Sequence, residues 1–183
     1  MTTPDAPPIT IRRASEQDSV LLSDIGAETF SDAFGPQNAP QDMKLYMEKS
    51  FGPSIQAGEL ADPFTVFLVA EIEGEPVGYA RLREGGLATV IVGYKPIEIV
   101  RFYARTHWIG RRVGAALMQA SLKEAVARGC DAIWLDVWEK NDRAIAFYKK
   151  WGFAQVGTQP FRLGNDIQKD LLMARQVSIP GAA

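Results

Sequence analysis

Gly110-Arg111-Arg112-Val113-Gly114 is the segment of this 183-residue chain best suited to hold an anion. It follows a short apolar run, Ile97 to Ala104, and six connecting residues, Arg105 to Gly110. An amphipathic pattern then runs from Arg111 to about Arg128. A strand that turns into a helix points the first, internally unpartnered N–H groups of the helix outward. The helix dipole adds partial positive charge there, and two arginine forks add full charge. The chemistry expected of Gly110, Arg111, Arg112, Val113, Gly114 and Ala115 is therefore the binding of a phosphate or pyrophosphate. Glu98 is a second candidate. It lies among Ile97, Ile99 and Val100, where burial raises a carboxylate pKa toward that of a useful base. A structural or solvent-facing glutamate is the plainer alternative.

The elements that must position these residues can be read from periodicity and punctuation. Ile9 to Arg13 suits a short edge strand, and Ser15 with Asp18 suits a helix start. Leu21, Leu22, Ile25, Thr29 and Phe30 recur at helical spacing as far as Phe34. Gly35 to Pro40 breaks the chain, Gln41 to Phe51 predicts a second helix, and Ser54 to Leu60 one further turn. Phe64 to Glu71 and Val77 to Arg83 predict a hairpin closed at Glu73-Gly74-Glu75-Pro76. Glu84 to Gly93 is either a loop or a broken strand. Ala132 to Trp138 is a further strand, and Asn141 caps a short helix ending at Trp151-Gly152-Phe153. Phe153 to Thr158 and Lys169 to Arg175 predict a closing strand pair. The order is one mixed α/β domain over 9–176, with disordered tails expected at 1–8 and 177–183.

Composition excludes several classes. An apolar content of 46% with 23% charge is ordinary for a globular domain. No apolar run reaches the ~18 residues of a membrane span, and Met1 to Pro8 lacks the succession of a signal peptide. One Cys and one His make a disulfide framework and a zinc site improbable and suit a reducing cytoplasm. Net charge is −2, yet residues 1–75 carry 13 acidic and 4 basic side chains, so −9, and residues 76–183 carry 9 and 16, so +7. Either solvated faces differ by chance, or one half receives an anion and the other attracts a cation. Nucleic-acid binding through Arg101, Arg105, Arg111 and Arg112 is disfavoured by the low pI and the absence of a recognition motif.

Three pieces in order resemble the GNAT superfamily of acetyl-CoA-dependent N-acyltransferases: the strand and helix at 97–118, the strand Ile133 to Trp138, and the segment from Asn141 to Phe153. The last, read NDRAIAFYKKWGF, matches the family's N-x-x-A-x-x-F-Y-x-K-x-G-F signature; WEKNDRAIAFYKKWGF more narrowly resembles the bacterial spermidine/spermine acetyltransferase branch. The phosphate loop departs from the usual [Q/R]-x-x-G-x-[G/A]. Ile109 stands at its first position, Arg112 at its central Gly and Gly114 at its last. If Arg112 lies in a helical first turn with negative φ, the backbone donors survive.

The resemblance implies a twisted, mostly antiparallel sheet with splayed central strands, acetyl-CoA as cosubstrate and no metal. It implies that an amine attacks the thioester directly in a ternary complex. Tyr148 is then the acid for the leaving thiolate, two helical turns after Asn141, although a tyrosine on an apolar helix face is more often core. Glu98 becomes the base, directly or through water, with Asp136 the weaker alternative. The backbone of Phe102, Tyr103 and Ala104 takes the pantetheine arm and supplies an oxyanion N–H, and Asn141 caps its helix, contacts the cofactor, or does both. His107 and Cys130 are poor candidates, the thiol because nothing obvious activates it. Trp134, Trp138 and Trp151 suit core or pocket wall. Glu28, Phe30, Phe34 and Asn38 line the acceptor pocket. The acceptor expected is a small cationic amine such as a polyamine, handled by a monomer or homodimer. A peptide or protein amine is the rival acceptor, and a non-catalytic CoA-binding module the rival class.

Overall fold

The computed structural model describes residues 7–85 and 95–177. Seven strands are present among the described residues: β1 (Ile9–Arg13), β2 (Thr65–Ile72), β3 (Glu75–Glu84), β4 (Pro96–Ala104), β5 (Ala132–Trp138), β6 (Ala154–Leu163) and β7 (Asp166–Gln176). Five helices connect them: α1 (Ser19–Phe34), α2 (Pro40–Ser50), α3 (Pro53–Ala61), α4 (Val113–Ala127) and α5 (Asp142–Lys150). The strands form one sheet ordered β1-β2-β3-β4-β5-β7-β6. Every pairing is antiparallel except β4 with β5. The expected tails fall mostly outside the described residues, as does the 84–93 segment beyond Glu84, which ends β3, and Gly85.

Alternation along the strands sorts side chains onto two faces. Leu68, Ala70, Ile97, Ile99, Ile133 and Leu135 share one core with Val113, Leu117 and Met118 of α4 and Tyr148 of α5. On the opposite face Phe67, Val69 and Tyr79 pack on Leu22 and Ile25 of α1. Phe30, Met43 and Leu163 join α1 and α2 to β6.

Punctuation read from sequence acts as expected at several ends. Asp18 accepts from the Ser15 backbone N–H at 2.7 Å, although the turn it opens is 3-10 (Glu16–Asp18) before α1 begins. Arg12 holds the same carboxylate through two contacts and draws its pKa down to about 2. Gly129 (φ +68°) and Gly152 (φ +83°) close α4 and α5. Cys130 N–H reaches Ala125 O and Phe153 N–H reaches Tyr148 O, the six-residue bond of a Schellman end.

Two expectations are corrected. Pro53–Ala61 is a nine-residue helix rather than one turn. Its Gln56, fully buried, satisfies Gly52 N–H and Ser50 O, so the helix is set by tertiary packing as much as by its own pattern. The closing hairpin is also longer than expected. β6 and β7 pair from Ala154↔Ala174 to Leu163↔Asp166 around Gly164-Asn165. Gly164 has φ +60°, and a Cβ there would lie 2.5 Å from the Asp42 Cα, so only glycine lets the hairpin tip seat on α2.

Candidate active site

β4 and β5 pair only from Pro96↔Ala132 to Glu98↔Trp134 and then diverge. Beyond Glu98 each strand has a backbone edge facing an open wedge. On its other side β4 is bound to β3, with Tyr79↔Tyr103 and Arg81↔Arg101 in register. Arg105 N–H donates to Val77 O at 2.9 Å. Antiparallel alternation therefore turns the backbone groups of Tyr103 and Arg101 toward β3, and those of Phe102 and Ala104 toward the wedge. Tyr103 thus offers the site its ring and hydroxyl rather than its backbone.

The wedge leads to the turn before α4. Thr106–Trp108 form one 3-10 turn, and α4 begins at Val113, two residues later than its pattern suggested. Ala116 N–H makes the first α-helical bond, to Arg112 O. The amides of Gly110, Arg112, Val113, Gly114 and Ala115 donate to no described residue. Gly110 has φ +79° and Arg112 φ +70°. The expectation of a negative φ at Arg112 is therefore overturned: it precedes the helix in a left-handed conformation that a glycine adopts without strain. The donors survive because the chain holds that turn despite the Cβ. Arg112 is exposed, and Arg111 lies over the Trp108 ring at 5.3 Å; neither pairs with a described carboxylate. Arg105, by contrast, is taken by Glu28 at 3.1 Å. Five free amides and two uncompensated guanidinium groups fit a diphosphate.

Tyr148 projects from α5 into the same wedge, its ring 6.1 Å from Phe102 and 5.8 Å from Phe153. It is 7% exposed and its hydroxyl has no described hydrogen-bond partner. Burial, then Asp136, push its pKa well above the usual phenol value, so it stands protonated with a proton to give. Asn141 caps α5 by accepting from Ala144 N–H at 3.2 Å.

Glu98 sits at the closed end of the wedge on the face opposite α4. Burial raises its pKa, against the pull of Arg83 at 2.8 Å. Two residues along the facing strand, Asp136 shares that face; burial raises it too, and Gln159 Nε2 donates to it at 2.9 Å.

The expected acceptor residues scatter. Phe34 and Asn38 border this face: Phe34 meets Tyr103 and Trp138, and Asn38 accepts from Gln168. Phe30 is buried behind them, stacked on Tyr46. Glu28 faces Arg105 at the outer side of the turn. Part of the first half's acidic charge is neutralised within the fold. Asp18, Glu28, Glu59 and Glu71 are spent on arginines. The uncompensated buried carboxylate, Asp170, lies in the second half, and sequence reasoning missed it. An aspartate at an inward position of an alternating strand was the available signal.

The chain matches the acetyltransferase (GNAT) family over residues 27–153. It is 32% identical over 167 residues to an uncharacterised N-acetyltransferase of Lactobacillus delbrueckii subsp. lactis, covering 91% of this chain and 96% of that one. It is 33% identical over 160 residues to an uncharacterised N-acetyltransferase of Mycobacterium tuberculosis, covering 87% and 98%. In fold it is similar to the PaiA N-acetyltransferase of Thermoplasma acidophilum solved with coenzyme A, at TM-score 0.73, 18% identity and coverage of 92% and 99%. It is also similar to the ribosomal-protein-S18-alanine N-acetyltransferase of Escherichia coli, at TM-score 0.67, 17% identity and coverage of 96% and 97%.

Proposed function

Because the chain belongs to the acetyltransferase (GNAT) family, with acetyl-CoA as cosubstrate, we propose that it moves the acetyl group onto a primary amine of a small cationic acceptor by direct attack. Acetyl-CoA supplies an activated acyl group on a thiol that leaves readily once protonated. Gly110 to Ala115 hold its diphosphate, and the wedge edge at Phe102 and Ala104 takes its arm. Tyr148 gives its proton to the leaving thiolate, and the apolar packing around it limits competition from water. An alkylamine has a pKa near ~10.4, so a base must remove its proton before attack. Glu98 does this, directly or through one water, from the closed end of the wedge, with Asp136 beside it on the same face. Arg83 opposes the rise that burial imposes on the Glu98 pKa. The acceptor enters from the α1/α2 face, where Phe34, Tyr103 and Trp138 leave an aromatic approach. The polyamine-acetylating branch is a reading of the same site, supported by the WEKNDRAIAFYKKWGF segment and by carboxylates on that face.

The observation that carries this reading is the Tyr148 hydroxyl, which has no described hydrogen-bond partner, on a side chain only 7% exposed and packed beside Phe102 of β4. It is tested by incubating the protein with acetyl-CoA and a panel of diamines, monoamines, amino acids, aminoglycosides and short peptides, following free thiol. At least one small amine should react. Tyr148→Phe should lower kcat by about 100-fold, as for loss of a general acid, with CoA affinity unchanged. CoA binding without turnover of any amine would make the chain a CoA-binding module. Turnover of peptides alone would move the acceptor to the peptide class.

A further inference from the structure

Asp170 is electrically incomplete. It is 5% exposed, its Oδ1 is buried with no hydrogen-bond donor, and no described cation pairs with it. An ionised carboxylate out of water needs a partner, or it takes up a proton. The groups that act on it are themselves acidic: Asp136 and Glu139. Nearby lysines are turned elsewhere, Lys169 to Glu139 at 2.6 Å and Lys140 over the Trp138 ring.

Its surroundings are those of a ligand site rather than of a core. In the sheet Trp138 lies opposite Asp170 and Asp136 opposite Leu172, so both aspartates are on one face, diagonal to each other. Gln159, opposite Asp170 on its other side, reaches across to Asp136. Tyr46 of α2 feels both carboxylates, and its ring packs against Phe161, two residues along from Gln159. The order outward from the wedge is Tyr148, Asp136, Asp170, since Asp136 acts on the Tyr148 hydroxyl. Aromatic faces attract cations and also cover an alkyl chain.

Resting on the acetyl-transfer reading, we infer that Asp170, with Asp136 and the rings of Tyr46 and Trp138, is a subsite for a second cationic group of the acceptor. The acceptor is then an amine whose reacting nitrogen lies near Tyr148 and whose other end, an ammonium joined through a short alkyl chain, completes Asp170. The subsite sets specificity by binding, without taking part in the bond changes.

The test reads binding without turnover. CoA-loaded protein is titrated calorimetrically with α,ω-diaminoalkanes of three to six carbons and with the matching monoamines. The wild type should bind its best diamine at least ten-fold more tightly than the monoamine of equal length. Asp170→Asn, which removes an unpaired buried charge at constant shape, should erase that preference and leave monoamine affinity unchanged. Equal affinity for diamines and monoamines, no diamine binding, or a preference retained in Asp170→Asn would each overturn the subsite. The wild-type comparison decides the matter if the variant is insoluble. Failure of every amine to be acetylated while diamines bind through Asp170 would instead strike the acetyl-transfer reading and leave the subsite standing.

Discussion

Asp170 has a folded-state pKa pushed up to about 7 by burial and by Asp136 and Glu139, against an unfolded value near ~3.9. Between these values the folded chain holds a proton that the unfolded chain has released. Stability contributed by this group therefore falls as pH rises from about 4 to about 7, and the loss is constant above. Asp170→Asn should accordingly match the wild type near pH 4 and exceed it by about 4 kcal/mol at pH 8, read as the difference between urea-unfolding curves. A wild-type advantage at pH 8 would mean that the carboxylate has a partner. Among single residues, Tyr148, Glu98 and Gly110 to Ala115 could be singled out in the sequence because each type suits the role proposed for it and sits at a marked position in a pattern. Asp170 was not, because what sets it apart is an absent partner. That depends on what β5, β6 and α2 bring beside it.

The turn into α4 shows what a single element can and cannot disclose. Its placement was readable from a strand pattern followed by a helix pattern, but its backbone conformation was not. Arg112 at φ +70° carries a strain of about 1 kcal/mol that glycine would relieve. Arg112→Gly and Arg112→Ala both delete the guanidinium, so their comparison isolates the backbone. The glycine variant should be the more stable by about 1 kcal/mol in denaturant unfolding, after allowing for glycine's freer unfolded chain. Equal stabilities would mean that the turn relaxes to negative φ. Other elements misread from sequence failed for related reasons. The α3 helix lacks a strong stripe and is held through Gln56 and Glu59. β6 extends through exposed, polar positions to a Gly164-Asn165 turn whose two-residue signature was readable.

At the scale of the molecule, a buried cluster fastens the α3 layer to the sheet. Glu59 accepts from Arg81 at 2.6 Å and from Arg101 at 2.7 Å, with all three side chains at most 15% exposed. Removing the shared carboxylate leaves two cations facing each other out of water. Glu59→Gln should cost about 3 kcal/mol or more, seen as a lowered urea midpoint. A loss below 1 kcal/mol would show that water or another acceptor serves the arginines. The cluster also explains why Arg101, readable as a nucleic-acid contact, is not available as one.

What the linear chain determined by itself is local: periodicity places most strands and helices, and the Asn141 and glycine ends need only neighbours a few residues away. The Asn141 to Phe153 signature is local too, and it carries Tyr148. Tertiary structure decided whatever depends on parting or meeting of distant segments. The wedge exists because β4 and β5 stop pairing after Glu98 and Trp134. The backbone direction of Tyr103 follows from its bond partner strand β3, and the incomplete charge of Asp170 from three elements closing over it. Hydrogen-bond direction and burial are properties of contacts between segments far apart in sequence, and only the folded arrangement supplies them.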